Sequence, residues 1–409
     1  MNQPVFLHIV ERLEGFLGKL PATIQKPVLQ ELTPLKELFL KQRPPRFVLT
    51  GAHKLPVQEV VATLFASTQQ AEMRDVLMEV FRWQNVAIGH QGMISVLDAR
   101  GADAAAMRKI EEELTRHAAD MFLHLVDGNS ARPVLTRDVD QLASLAASNA
   151  AQAPDAKVIG ISLLGRERAA ATEPNGKTPA SERPRAQEKL QTAFAEREGV
   201  REHVVQVVEI PLAPAGSDGS ATHTDAAARL MALMARELPN EARVEMARLS
   251  RDRQVQEEIA QVLVKSTSAI ATAIGTQPIP LADLPILTTL QLVMVSGIMY
   301  IAGRERSLRA ATEFVGALGV NVGAGMILRE GARAVLKFFP GWGNVVCGMV
   351  AGAGTYALGK AATVYFLEGV SLKDARRAYR MSRKGSATRQ IAQKPLRLAR
   401  RPQSQIKQP

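Results

Sequence analysis

Two long stretches of this chain carry almost no charge, and they restrict its fold more than any other feature. Between Thr267 and Gly303 the only charged side chain is Asp283, and Phe338–Gly359 has none. Such runs are incompatible with exposure to water, so each is either buried in a helical bundle or placed in lipid. Pro285–Gly303 is 19 residues long. At about 1.5 Å per residue that length just crosses a hydrocarbon core of about 30 Å. Phe338–Gly359 is also long enough, but it contains six Gly and Pro340. Gly319/Gly323 and Gly348/Gly352 have the G-x-x-x-G spacing that lets helices approach closely, in lipid or in a soluble bundle. A spanning hairpin and a soluble bundle both satisfy this pattern.

The region around these runs, 241–369, reads as helical throughout, opening on a helix around Glu241–Ala271 and punctuated by Pro278, Pro280, Pro285 and Pro340. Asp283, three residues after Pro280, reads as a helix N-cap rather than a functional carboxylate. The tail, 370–409, holds twelve Lys/Arg against one acid, Asp374, while the whole chain has a formal charge of +11. The basic balance therefore belongs to one appendage. That tail begins as a basic helix, and its Pro/Gln/Arg composition from Lys394 onward predicts disorder. Placed beside an apolar module, it suits anionic lipid on the cytoplasmic side, at about 1 kcal/mol per basic residue near the surface. Tyr379 is its only aromatic residue, which argues against specific recognition of nucleic acid by stacking.

Upstream, residues 1–45 form a helical segment: Val5, Ile9, Leu13, Phe16, Leu17 and Leu20 recur at helical spacing, and Pro44-Pro45 closes it. The N-terminus lacks a basic n-region followed by a continuous apolar run, so it reads as an amphipathic helix and not a secretion signal. The lone Cys347 permits no internal disulfide and points to a reducing compartment.

From 46 to 240 the period changes. Short apolar runs at 46–50, 85–89, 93–98, 121–127, 157–163 and 204–210 read as strands, with helices at about 57–65, 104–117, 137–148 and 224–237. The second and third strands are joined through His90-Gln91-Gly92 as a hairpin, and the remaining alternation predicts a mostly parallel α/β sheet.

Strand, Gly51, helix, hairpin and Asp98 follow in the order of a P-loop GTPase. A working P-loop, G-x-x-x-x-G-K-[ST], cradles phosphates with backbone N–H groups, reaches them with Lys and holds Mg²⁺ with the hydroxyl. Laid on LTGAHKLPVQEVVATLF the pattern keeps Gly51 but puts Pro56 at the second Gly, Val57 at the Lys and Gln58 at the Ser/Thr. Proline removes a donor, Val removes the cation and Gln cannot replace the hydroxyl. His53 and Lys54 are the nearest substitutes for that cation.

Phe47–Asp127 resembles the G domain of the Era/TrmE-like GTPases. Asp98-Ala99-Arg100-Gly101 matches that family's D-x-x-G after the right hairpin, and Ala119-Asp120 opens the next strand. The guanine motif N/T-K-x-D would follow 157–163, where Leu163-Leu164-Gly165-Arg166 stands with Arg in place of the base-reading Asp. No S-A pair follows 204–210, where Pro211-Leu212-Ala213 stands. A second resemblance covers about 257–369. Pro278-Ile279-Pro280 with Asp283, Leu287-Thr288, Gln291 before Met294, Pro340 with Gly343, and Gly359 before Tyr365-Phe366 and Gly369 are similar to the helical "domain of unknown function 697", often fused to such G domains.

The resemblances imply an α/β Ras-like P-loop domain with one antiparallel hairpin, followed by an all-α C-terminal domain. Gly51, Asp98 and Gly101 are relics of the nucleotide site. The expected function is a membrane-associated pseudo-GTPase that acts as an interaction or scaffold protein without GTP turnover, at the cytoplasmic face of the inner membrane. No cofactor is expected, and its partner would be a second copy or an active GTPase. The alternative is a membrane-linked GTPase that binds or hydrolyses GTP, with Mg²⁺, through a non-standard P-loop. Other chemistry lacks support: the seven His are scattered, and neither H-E-x-x-H nor a G-x-S-x-G elbow occurs.

Overall fold

In the computed structural model, residues 22–39, 41–65, 81–88, 92–130, 132–164, 185–212, 225–276, 283–318 and 343–392 are described. They divide into two compact units. The first takes Thr33–Val262 and Gly297–Arg306; the second takes the start of the first helix, Leu263–Ser296 and the described residues from Ser307 onward.

The first unit is built on β1 (Arg46–Gly51), β2 (Gln84–Ile88), β3 (Gly92–Asp98), β4 (Met121–Asp127), β5 (Lys157–Leu164) and β6 (Val204–Pro211). These are the strands expected from the alternation. They form one six-stranded sheet in the order β2-β3-β1-β4-β5-β6, in which only β2 runs antiparallel to its neighbour. The hairpin's turn, at 89–91, lies outside the described residues. β1, β4 and β5 are buried along nearly their whole length, because helices cover both faces of a parallel sheet.

One face packs against α3 (Ala104–Arg116), α4 (Thr136–Ala150) and α5 (Ala186–Glu196) through Ile110, Leu114, Leu142, Leu145, Leu190 and Phe194. Helices α1 (Ala22–Phe39) and α2 (Val57–Phe65) precede them in the chain. On α2, Phe65 meets Phe47 of β1, ring centroids 5.1 Å apart. Alongside α2 lies α6 (Asp225–Glu237), followed by α7 (Asn240–Ser250), which packs on β3.

The single helix expected over 241–271 is two, α7 and α8 (Arg253–Gly275). Arg251 takes a left-handed conformation, φ 51°, and the Asp252 carboxylate accepts the Val255 N–H at 2.8 Å. A left-handed stop followed at once by an acidic cap breaks a continuous apolar period.

The amino edge of the sheet is held by charge. Arg43 makes a two-pronged pair with buried Asp120, 2.6 and 2.5 Å, and the same carboxylate accepts the Arg46 N–H at 2.9 Å. Nearby, the Tyr300 hydroxyl donates to Glu245, and Gln42 Nε2 donates to the same carboxylate at 2.6 Å. The Arg248 and Arg306 guanidiniums lie 3.8 and 4.0 Å from the Tyr300 ring centre. Burial, and then the Glu245 carboxylate, push the Tyr300 phenol above its usual range.

The second unit contains most of α8, then α9 (Asp283–Ile301) as far as Ser296, α10 (Leu308–Ala317), α11 (Gly343–Phe366) and α12 (Leu372–Ala392). No helix among the described residues is long and apolar enough to cross a membrane. α9 covers Pro285–Ile301 of the uncharged run Pro285–Gly303. Gln291 has an internal partner, donating to Thr355 Oγ1 of α11 at 2.9 Å, and Leu290, Val293, Met294 and Val295 are buried. Gly319/Gly323 and the side chains of Asp283 and Cys347 lie outside what is described.

Glycines set how closely α11 meets α8. A Cβ on Gly352 would collide with Thr272 Oγ1, one on Gly348 would lie 2.7 Å from the Thr272 carbonyl oxygen, and one on Gly359 would lie 2.5 Å from Val264. Thr272 and Ser268 turn their hydroxyls back to carbonyls one turn earlier, at 2.8 and 2.6 Å, so the contact leaves these polar groups satisfied. Gly354, on the same helix, has nothing within 4 Å of its Cβ position. We therefore expect Gly352→Leu to lower unfolding free energy by about 3 kcal/mol in a denaturant titration, through overpacking. Gly354→Ala should instead raise it by up to about 1 kcal/mol through helix propensity.

Candidate functional site

β1 lies between β3 and β4, so the chain changes sides at β1, and ligands of open parallel sheets bind in the crevice beyond the carboxyl ends at such a switch. The register places Leu49 beside Asp98 and Gly51 beside Leu125. Gly51, Asp98 and Gly101, read from distant parts of the sequence, are therefore brought together.

Gly51 ends β1 with φ 89°, and a Cβ there would collide with the Leu125 carbonyl oxygen. This close approach lets the next N–H, that of Ala52, donate to the same oxygen at 2.8 Å. The loop then runs to Pro56, whose carbonyl accepts the Val60 N–H at 3.1 Å as α2 begins. Gly101, φ 69°, turns the chain after β3 and lies against His53, whose Cβ would be 3.0 Å from an added methyl. Asp103 then caps α3 by accepting the Ala106 N–H at 2.8 Å. From α4, Gln141 donates to the Ala102 carbonyl at 2.7 Å. Both turns are thus pinned by specific bonds.

The residue they enclose is Arg100. Its Nε donates to Asp98 Oδ1 at 2.8 Å and its Nη2 to Asp98 Oδ2 at 2.9 Å. Its Nη1 donates to the carbonyls of Ala52, 3.1 Å, and Leu55, 2.8 Å. The side chain is only 4% exposed. A phosphate-binding loop directs N–H groups at an anion; this loop directs two carbonyl oxygens at a cation. Its electrostatic polarity is therefore opposite to that of a P-loop. The guanidinium fork engages both oxygens of the Asp98 carboxylate. His53 and Lys54 are exposed, and Val57 and Gln58 are half-buried in the first turn of α2. Among the described residues, no group of three or more His, Cys, Asp and Glu could hold a metal ion.

Gly165 and Arg166, at the guanine-reading position, and Ala213 lie outside the described residues. Leu212, which stands after β6, donates its N–H to the Leu164 carbonyl at 2.9 Å. Arg100 was not singled out from the sequence. It fills a variable position of D-x-x-G, and the only local signal is an arginine two residues after a strand-ending Asp.

One further titratable group lies beside this edge. His124 of β4 is fully buried; its Nδ1 is 3.0 Å from Thr50 Oγ1, its ring meets the edge of Phe194, and its Nε2 has no hydrogen-bond partner among the described residues. Burial lowers its pKa from 6.5 to about 4. The native state therefore keeps the imidazole neutral at pH values where an unfolded chain protonates it. The stability this confers is complete above about pH 6.5 and is lost as pH falls towards 4, a loss of roughly 3 kcal/mol at the acid end. Urea midpoints measured across this range should fall with pH in the native sequence, and more shallowly in His124→Gln.

Replacing Arg100 by Ala leaves Asp98 without its cation and two carbonyls without donors. Unfolding free energy should fall by about 3 kcal/mol. Arg100→Lys should recover less than half of the loss, since an ammonium cannot reproduce the fork. Chemical denaturation of both variants checks this.

A comparison of the chain with models of known protein families finds no match, and a comparison with curated proteins finds none.

Proposed function

We propose that the protein is a membrane-associated pseudo-GTPase, an interaction or scaffold protein that does not turn over GTP. The observation that carries this reading is the Arg100 guanidinium in the crevice beyond β1 and β3, bonded to Asp98 and to the carbonyls of Ala52 and Leu55. Nucleotide phosphates would need N–H donors, a Lys and a metal there, and an internal cation bound to internal acceptors serves none of these ends. The order β2-β3-β1-β4-β5-β6 with one antiparallel edge pair supports a Ras-like domain, in keeping with the resemblance to Era/TrmE-like GTPases. A G-domain surface without turnover can still pair with a second copy or with an active GTPase, a reading by analogy of fold. The basic tail, twelve cationic residues against one acid, supports association with anionic lipid at the cytoplasmic face of the membrane.

The rival reading is a GTPase with a non-standard loop. Asp98 and Gly101 stand at the positions it needs, while Pro56, Val57 and the inverted loop oppose it. Thermal unfolding with GTP, GDP or buffer alone, each with and without Mg²⁺, separates the two. We expect no shift. A ligand bound at a hundred times its Kd would stabilise by about 2.7 kcal/mol, and a saturable rise of that order with GTP would replace this proposal by the rival.

A further inference from the structure

The position of α12 carries an inference about how the chain meets a membrane; it rests on the proposed membrane association. One side of this helix is packed: Ala375 is fully buried, and Ala378, Tyr379 and Ser382 are half-buried. At 100° per residue these four lie on one side, and Lys373, Arg377 and Arg380 fall opposite, at i, i+4 and i+7. All three are exposed, and no ion pair holds any of them among the described residues. Exposed Arg376 and Arg383 widen the cationic arc on one flank, and Met381, 63% exposed, stands on the other.

The helix's only acid is removed from the arc. Asp374 accepts from Ser371 Oγ at 2.6 Å, and Ser371 in turn accepts the Asp374 N–H, a local cap at the first turn. Arg376 is also engaged structurally, donating to the Ala317 carbonyl at the end of α10 at 2.8 and 2.5 Å. That bond ties α12 to α10, so the comb of cations is presented by a packed element and not by a loose extension.

We infer that the Lys373, Arg377 and Arg380 row of α12 is the surface that lies on an anionic bilayer, with Met381 entering the headgroup boundary. The row is straight, about 10 Å long, and projects from one face of a rigid helix, which matches a planar array of anionic headgroups. An exposed methionine beside it adds apolar contact of the kind that interfacial helices use. Single-stranded nucleic acid would require an aromatic platform, and Tyr379, the helix's only aromatic residue, is half-buried on the packed side.

The test uses the full chain in a sedimentation assay with phosphatidylcholine vesicles, with and without phosphatidylserine, and with a single-stranded RNA in parallel. The native protein should bind only the phosphatidylserine vesicles. The triple variant Lys373→Glu, Arg377→Glu, Arg380→Glu should lose that partitioning by about a hundredfold or more. The milder triple change to Gln should fall between. A companion with Lys394, Arg397, Arg400, Arg401 and Lys407 changed to Gln should keep most of the binding. Matched thermal melts check that each variant is folded. Undiminished binding of both triple variants overturns the inference, and so does loss in the companion alone. Equal binding to both vesicle types overturns it as well, as does a loss confined to RNA. If the native protein binds neither vesicle, the proposed membrane association falls together with this inference.

Discussion

A single buried guanidinium organises the carboxyl edge of the sheet. Arg100 joins the end of β3, through Asp98, to the loop that follows β1, through two carbonyl oxygens. In a medium of low polarizability such a cation is tolerable only where every bond is directed, and four donated bonds supply that direction. The positive φ at Gly51 and Gly101 brings the two turns close enough for one side chain to reach both. The folded domain thus holds an internal charge at the switch point of its sheet, bonded to its own chain.

The opposite edge follows the same logic with different residues. Arg43 and Asp120 fasten the segment entering β1 to the start of β4, and Tyr300 sits between two guanidiniums while donating to Glu245. Between these polar rims the sheet is apolar, with Phe47, Leu49, Phe122, Leu123 and Ile159 essentially inaccessible to water. Burial supplies the bulk of the cohesion and is indifferent to direction. The two rims of directed bonds fix where β1 begins and ends, where β3 ends and where β4 begins.

In the helical unit, small residues take the place of large ones. Gly348, Gly352 and Gly359 bring α11 against α8 at a separation no side chain could share, and the hydroxyls at the contact are bonded within their own helices. Such an interface suits uncharged helices in any apolar surrounding. The cations Lys373, Arg377 and Arg380 of α12 stand on the face turned from its packed side, where water or an anionic surface can solvate them.

Much of the sheet was legible in the sequence. Its six strands were visible as apolar runs of the right length, and Gly51, Asp98 and Gly101 could be placed at strand ends and turns, because burial period and glycine's permitted φ are local properties. The Arg251–Asp252 stop was obscured by an apolar pattern that continues past it. Arg100 was invisible for a different reason: it bonds carbonyls 48 and 45 residues away, and any residue type supplies a carbonyl. Sequence determined that Pro285–Gly303 must be shielded from water; only the packing of α9 shows protein covering Leu290, Val293, Met294 and Val295, with Gln291 bonded to Thr355. Periodicity records which face of an element is apolar, and only the tertiary structure supplies what that face meets.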